Sequence, residues 1–226
     1  MPHIDLTYAQ ALDTANLGLG VYEPLQGFVG LEDLHSVLET GRLRTGAPLG
    51  FPLLLNLEDP SGHNFPTNST VSLRYRGREV AFLEDVEIFH WNALSGLDAL
   101  FGTASLEHPG VERFSRFSRT FVGGRVRLKP GTGWVESMKI VPPAKLRARL
   151  RDLNWKTTVG FQTRNVPHRA HEQLIRLALE AFDGVLVQPL VGPRKVGDFS
   201  EAAIRRGYGY LAREIFPKSR MMVSFL

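Results

Sequence analysis

The sequence contains no cysteine. It can therefore form no disulfide bond and no thiolate metal site, and enzyme classes that use a cysteine nucleophile are excluded. It also lacks an apolar run long enough to cross a bilayer, and residues Met1 to Asp5 lack the basic and then apolar pattern of a signal peptide. We expect a cytoplasmic protein with no membrane partner.

Neither sign of charge dominates the chain. Among 226 residues, 27 are Lys or Arg and 23 are Asp or Glu, and 43% are hydrophobic. This composition is ordinary for a globular protein with one large or two modest domains. The small basic excess suits anionic ligands, but the basic residues are scattered, so a nucleic-acid partner is not favoured.

The first 133 residues are predicted to form one β-rich α+β domain. Short runs of strand-forming residues separated by Gly, Pro and Asn indicate strands at Phe51–Leu57, Val71–Tyr75 and Glu79–Val86. Two short helices are expected, at Leu31–Glu39 and Trp91–Phe101. The turn-rich stretch Lys129–Gly133 indicates a boundary, which gives domains 1–133 and 134–226.

Strands and helices alternate in the second domain. Strands are predicted at Trp155–Phe161, Gly184–Leu190 and Arg220–Leu226, and helices at Pro143–Leu153, from Val166 onward, and at Phe199–Phe216. This order predicts an α/β fold with a parallel sheet. Ligands of such folds bind at the carboxyl ends of the strands.

Residues 162–171, here called the motif segment, follow the first of these strands, which we expect to be central in the sheet, and residues 162–165 are predicted to form one loop at its carboxyl end. Gln162, Thr163, Arg164 and Asn165 supply amide, hydroxyl and guanidinium donors at successive positions. Asn165 is expected to cap a helix that begins near Val166, with Pro167 in its first turn. The free amides and dipole of a helix start favour an anion, and Arg164 can grip one with two hydrogen bonds. The alternative is a capped helix with Arg164 paired to a surface carboxylate.

His168 and His171 lie three positions apart, on one side of the expected first turn. They could donate hydrogen bonds to phosphoryl oxygens and stabilise charge on a leaving pyrophosphate. They could instead be packed histidines bonded to backbone carbonyls. A metal site with Glu172 is disfavoured, because the spacing differs from known zinc motifs.

Arg194 and Lys195 follow the second strand of this domain, at the same edge of the predicted sheet. They are secondary candidates for anion binding, and solvated loop charges are the alternative. Arg205 and Arg206 are interpreted as surface residues.

The sequence resembles the ATP sulfurylases, which make adenosine 5′-phosphosulfate from ATP and sulfate. The central match is Gln162–Asn165 followed by His168 and His171, and the family signature reads Gln-Thr-Arg-Asn-Pro-x-His-x-x-His. Val166 replaces the usual Pro, and Pro167 follows it. Further matches occur in the same order along the chain: residues 24–28, 101–103, 108–111, 143–147 and 188–192.

The resemblance implies a PUA-like β-rich domain followed by a Rossmann-like nucleotidyltransferase domain. It also implies in-line attack of sulfate on the α-phosphorus of ATP, with Mg²⁺ on the ATP phosphates and pyrophosphate as the second product. By resemblance, Gln162 and Arg164 bind sulfate, Gln162–Asn165 contact the nucleotide, and His168 and His171 hold the β and γ phosphates. Thr163, Arg164 and Asn165 are the expected catalytic residues, and a homo-oligomer is expected.

One family motif, Gly-Arg-Asp-His-Ala-Gly, is missing from the sequence. We therefore expect that the natural chain continues past Leu226, that the parallel sheet is incomplete in this chain, and that residues 1–226 alone bind weakly without measurable synthesis. The alternative is a non-catalytic nucleotide-binding or RNA-binding relative. Phe114, Arg116, Phe117 and Arg119 form the one aromatic and basic cluster of the kind that binds RNA, and we interpret it instead as a half-buried strand or turn.

Overall fold

The structure is a computed structural model that describes residues 2–58, 65–138, 141–191 and 197–226. The chain divides into two compact units, Met1–Ser137 and Met138–Leu226. The sequence-based boundary between residues 133 and 134 stays a prediction. None of the described helices combines the length and the apolar character needed to cross a membrane.

The first unit is built on a six-stranded sheet. Its strands are β1 (His3–Asp5), β2 (Gly27–Phe28), β3 (Leu55–Asn56), β4 (Val71–Tyr75), β5 (Arg78–His90) and β6 (Thr120–Leu128). They run in the order β1-β4-β5-β6-β2, and β3 also pairs with β6. Strands β1 and β4 are parallel, whereas the remaining pairs are antiparallel.

A two-residue turn joins β4 to β5. Both of its residues, Arg76 and Gly77, have positive φ angles, of 52° and 72°. This is the turn geometry whose twist matches that of a β-hairpin, and it sets the register in which Tyr75 pairs with Arg78.

The described residues of the first unit form five helices: α1 (Tyr8–Gly18), α2 (Leu31–Thr40), α3 (Leu97–Phe101), α4 (Pro109–Ser115) and α5 (Trp134–Ser137). A 3₁₀ turn, Ala93–Gly96, precedes α3. Helices α1 and α2 bury Ala11 and Leu34 in one core with Leu73, Leu83 and Phe121 of the sheet, and all five side chains are fully buried.

The aromatic and basic cluster proposed for RNA lies largely inside the first unit. Phe114 is only 6% exposed and packs edge-on against Phe51 and Phe101, and Phe117 packs against Phe114 and the core. Arg116 forms an ion pair with Glu112 one helical turn away. Phe114 is therefore buried and Phe117 half-buried, which leaves little ring surface for stacking on bases.

The second unit alternates strands and helices as the sequence predicts. It contains α6 (Pro143–Asp152), β7 (Thr158–Thr163), α7 (Arg169–Ala181), β8 (Gly184–Pro189), α8 (Glu201–Tyr210), a π-helical turn (Leu211–Ile215) and β9 (Met221–Val223). The three strands are parallel, in the order β7-β8-β9. Ile175 of α7 and Ile204 and Tyr208 of α8 share one buried cluster with Val185 and Val187 of β8. Both helices therefore cover the same face of the sheet.

The predicted elements differ from the observed ones mainly in their limits. The strand expected over Phe51–Leu57 shrinks to Leu55–Asn56, whereas the strand expected over Glu79–Val86 extends to Arg78–His90. The helix expected over Phe199–Phe216 ends at Tyr210 and continues as the π-helical turn. The prediction omitted α1, α4 and β6 altogether.

Candidate functional site

The motif segment begins inside β7 and not in a loop. Gln162 and Thr163 are the last two residues of the strand, in register with Gln188 and Pro189 of β8. Just beyond the strands, the Leu190 amide donates a hydrogen bond of 2.8 Å to the Thr163 carbonyl. The carboxyl ends of β7 and β8 thus lie side by side, which is where a ligand site was predicted.

Two details of that prediction are wrong. The four polar residues 162–165 do not share one loop, because the strand continues through Thr163. Strand β7 is also not central: within the described part of the sheet it lies at the edge, and β8 is the middle strand.

The helix start is corrected as well. Helix α7 begins at Arg169 with His168 as its N-cap, three residues later than predicted, so Asn165 does not cap it. Pro167 explains why the helix does not begin at Val166, because a residue before proline is sterically hindered from helical geometry. The amides of Arg169, Ala170 and His171 belong to the first turn, whose amide groups have no intrahelical acceptor.

The two motif histidines lie in contact at this helix start. Their rings stack with centroids 3.8 Å apart and an angle of 24° between the planes. The His168 side chain is exposed, whereas His171 is half-buried with its ring edge-on to Phe161. Both histidines therefore lie on one side of the helix start, as predicted from their spacing.

The environment keeps His171 neutral near pH 7. Burial lowers the pKa of His171, and the charge of His168 lowers it further. A hydrogen bond with the backbone of Val166 raises this pKa but does not outweigh the other two effects. A neutral imidazole carries one ring N–H and one free lone pair, so it can donate one hydrogen bond and accept another. The hydroxyl of Tyr208 lies 3.3 Å from Nδ1 of His171.

Arg164 stands at the first position after β7, with its side chain 49% exposed. Its Nη2 atom lies 3.0 Å from Oδ2 of Asp198. The structure thus contains the carboxylate pairing that the sequence left open as an alternative. An exposed pair of this kind contributes only about 0–1 kcal/mol, and the guanidinium has five N–H donors in total. An anion can therefore compete for Arg164.

Thr163 and Asn165 form a tight turn around Arg164. The Asn165 amide donates a hydrogen bond of 3.2 Å to the Thr163 hydroxyl oxygen. The Asn165 side chain is exposed, while Thr163 is half-buried on the face of the sheet covered by the helices. Gln162 projects to the opposite face, because side chains alternate along a strand.

An open cleft of about 530 Å³ lies beside the histidine pair, between the start of α7 and one face of α8. His168 and Arg169 line it on one side, and Arg206 and Tyr210 line it on the other. Arg206 is exposed, as predicted for a surface residue, whereas Arg205 is half-buried and bonded to Glu201. The cleft adds two guanidinium groups to the cationic surroundings of the helix start.

Arg194 and Lys195 lie outside the described residues. The sequence analysis missed two contacts of the motif segment: Asp198, which pairs with Arg164, and Tyr208, which is fully buried behind Thr163 and His171. The burial of Tyr208 was readable from the pattern, because Ile204, Tyr208 and Leu211 recur at helical spacing. Among the described residues, no group of three or more His, Asp or Glu side chains could hold a metal ion.

Comparison with known proteins assigns a family to each unit. A model of the PUA-like domain matches residues 1–130, and a model of the ATP-sulfurylase family matches residues 139–226. These matches confirm the predicted fold class, a PUA-like unit followed by a nucleotide-binding α/β unit.

Curated relatives match the whole chain. A sulfate adenylyltransferase of Hyperthermus butylicus is 33% identical over 226 residues, which is 100% of this chain and 58% of that protein. The sulfate adenylyltransferase of Ignicoccus hospitalis is 33% identical over 100% of this chain and 59% of its own length. The sulfate adenylyltransferase of Carboxydothermus hydrogenoformans is 32% identical over 99% of this chain and 59% of its own length. The chain thus spans less than two thirds of the length of these relatives.

A solved structure supports the fold. The hexameric APS kinase from Thiobacillus denitrificans superposes with a TM-score of 0.71 over 100% of this chain and 41% of that chain. The two sequences are 22% identical, so the likeness concerns the fold alone.

Proposed function

The chain belongs to the ATP-sulfurylase family, with a PUA-like domain ahead of its ATP-sulfurylase segment, and from this premise we propose that the protein is a sulfate adenylyltransferase. The proposed reaction joins sulfate to the α-phosphorus of ATP and releases pyrophosphate. The observation that carries the proposal is the grouping of Arg164, the histidine pair and the first-turn amides of α7 at the carboxyl end of β7.

Each group has a proposed task in binding. Arg164 grips sulfate, together with Gln162 if the anion reaches past the strand edge. His168 and His171 donate hydrogen bonds to the β and γ phosphates, and Asn165 contacts the nucleotide. The Thr163 hydroxyl already accepts the Asn165 amide, which supports a role in shaping the turn that presents Arg164 and Asn165. Arg194 and Lys195 remain secondary candidates for the same edge.

The proposed mechanism needs no general base. Sulfate is fully ionised at neutral pH, so the task of the protein is to align the attacking oxygen with the leaving pyrophosphate and to neutralise charge. A fixed guanidinium and the positive end of a helix suit that task, because their charge does not depend on pH in the working range. The described residues form no resident metal cluster, so we write the divalent ion as part of the substrate, MgATP.

The setting of the reaction is part of the same proposal. The substrates are ATP and sulfate, the products are adenosine 5′-phosphosulfate and pyrophosphate, and the compartment is the cytoplasm. We further propose a homo-oligomer: Leu174 and Leu177 lie one turn apart on α7 and are 52% and 50% exposed, which leaves apolar surface for a contact. The aromatic and basic cluster of the PUA-like unit does not favour a nucleic-acid role, because Phe114 is buried and Phe117 is half-buried.

The proposal is tested with Arg164→Ala. In a chain that includes the full catalytic domain, pyrophosphate release from MgATP and saturating sulfate is expected to fall by more than about a hundredfold, because a charged, two-pronged contact is worth about 3 kcal/mol or more. Arg164→Lys is expected to restore little, since an ammonium group cannot reproduce the planar fork.

Arg116→Ala is the matched control. Arg116 is also an exposed arginine paired with a carboxylate, but it lies in the PUA-like unit. Its removal is expected to leave pyrophosphate release unchanged. Near wild-type turnover in Arg164→Ala would contradict the proposed role of the motif segment.

A further inference from the structure

Tyr208 is the largest fully buried side chain of the protein's described residues, and it carries a polar atom into the core of the second unit. A phenol hydroxyl that is taken out of water must find hydrogen-bond partners, or it costs about 1–3 kcal/mol. The partners of this hydroxyl are the feature of interest, because both of them belong to the motif segment.

The first partner is His171, whose Nδ1 lies 3.3 Å from the Tyr208 hydroxyl. The second is the Thr163 side chain, whose hydrogen bond opposes the rise that burial causes in the pKa of Tyr208. Burial is the larger influence, so the phenol stays neutral and keeps its proton to donate. Tyr208 therefore bridges the end of β7 and the first turn of α7, two elements that are joined otherwise by a five-residue loop.

The residue before Tyr208 contacts the same loop. Gly207 lies so close to Pro167 that an added Cβ would approach the proline ring to 2.6 Å. Helix α8 thus touches the motif segment at three points: Thr163, Pro167 and His171. These contacts with α8 hold one side of the loop in place. Arg164, Asn165 and His168 remain exposed.

We propose that Tyr208 is a positioning residue of the anion site: its hydroxyl donates a hydrogen bond to Nδ1 of His171, so that His171 presents Nε2–H to a phosphoryl group. A neutral histidine has a single ring proton, and the nitrogen that accepts a hydrogen bond is the one without it. Donation by Tyr208 to Nδ1 therefore selects the tautomer that can donate from Nε2. The identity of the ligand, a pyrophosphate or nucleotide phosphate chain, rests on the proposed function.

The competing arrangement places the ring proton on Nδ1. The backbone of Val166 raises the pKa of His171, which shows that a protonated ring nitrogen is favourable near that group. If Nδ1–H served Val166, the phenol could not donate to Nδ1, and Nε2 would present a lone pair that repels phosphate oxygens. The two arrangements therefore predict opposite tautomers.

The test uses the protein labelled with ¹⁵N-histidine, with the His171 signals assigned from their loss in His171→Gln. Long-range ¹H–¹⁵N spectra at neutral pH distinguish the two tautomers directly. We expect Nε2–H in the wild type and a mixture of tautomers in Tyr208→Phe. An Nδ1–H tautomer in the wild type overturns the proposal, and this measurement requires only the assignment variant His171→Gln to fold.

The second readout is the affinity for inorganic pyrophosphate, measured by calorimetry with magnesium present. Tyr208→Phe is expected to bind about twofold to tenfold more weakly, the effect of one ordinary hydrogen bond. The matched control is Tyr22→Phe, which removes a comparable phenol hydrogen bond, to Asp13 at 3.2 Å, in the other unit. It is expected to leave the affinity unchanged.

The outcomes separate the two proposals. A changed tautomer with unchanged pyrophosphate affinity overturns the positioning role of Tyr208. A wild-type protein that binds neither pyrophosphate nor MgATP contradicts the proposed function, while the spectra still decide whether Tyr208 sets the tautomer of His171.

Discussion

Replacing Gly207 by alanine is expected to deform the motif segment from behind. An ideal Cβ at Gly207 would lie 2.6 Å from Cδ and 2.7 Å from Cγ of Pro167. Carbon atoms in favourable contact are about 3.5–4.0 Å apart, so the added methyl group overlaps the ring by about 1 Å. A proline ring cannot rotate away as a flexible side chain can, so either α8 or the loop must move.

The same helix offers a matched control. A Cβ at Gly209 would meet Nη1 of Arg213 at 3.0 Å, and Arg213 can shift its side-chain end at little cost. Both glycines lie inside α8, where alanine is favoured by up to about 1 kcal/mol. Gly209→Ala should therefore stabilise the protein by about 0.5–1 kcal/mol. Gly207→Ala gains the same stabilisation from helix propensity, but the overlap of its methyl group with Pro167 destabilises the protein by about 1–3 kcal/mol.

Calorimetric unfolding of the two variants measures the difference. We expect Gly207→Ala to be less stable than Gly209→Ala by about 2 kcal/mol, or roughly 8–16 °C in Tm for a domain of about 60–100 residues. Gly207→Ala should also bind pyrophosphate more weakly, because the movement of Pro167 displaces the start of α7. If the two variants are equally stable, the close packing of α8 on the loop does not exist in solution, and the inferred support of the site is refuted.

Three further predictions concern carboxylates and amides of the second unit. Asp198→Asn removes the carboxylate that competes for Arg164, so sulfate affinity measured by calorimetry should rise about twofold to fivefold; weaker binding would contradict this competition. Asp183→Asn should lower stability at pH 7 but not at strongly acid pH. Hydrogen bonds from Thr157 and Lys156 hold the pKa of Asp183 below 3.8, so its contribution is present above that value and lost as the pH falls through the folded pKa. Urea titrations at both pH values check this. Gln162→Ala should weaken sulfate binding in the same assay, whereas Gln188→Ala, its neighbour in register, should not.

The sequence located the strand, the loop and the helix of the motif segment but misplaced the helix start. The restriction on the residue before Pro167 excludes a helix start at Val166, but this local rule does not place the start at Arg169. The position of Pro167 against Gly207 was beyond sequence reasoning, since forty positions separate the two residues. The pairing of Arg164 with Asp198 was unpredictable for the same reason: it depends on the path of the chain between β8 and α8.

Strand β6 was missed because of its glycines. Gly123 and Gly124 weaken the strand pattern, since glycine is a poor strand former. The structure explains their presence: a Cβ at Gly123 would lie 2.7 Å from the Cα of Gly30, so β6 is crossed closely by another backbone. Helices α1 and α4 did carry local signals. Thr7 and Gln10 form a capping box, and Pro109 occupies the first turn of α4.

Consecutive polar residues do not by themselves make one binding surface. Phe161 packs into the core shared by α7 and α8, so Thr163 points to the same face and Gln162 to the other. Arg164 and Asn165 follow the end of the strand, so their side chains are not restricted to one face of the sheet. The groups that lie beyond the strand, in one short stretch after the carboxyl end of β7, are therefore Arg164, Asn165, the histidine pair and the first-turn amides of α7. A ligand bound at the start of α7 reaches Gln162 only by extending over the edge of β7. The binding energy of an anion at this site therefore depends more on the start of α7, and on the packing of α8 against it, than on the strand residues Gln162 and Thr163.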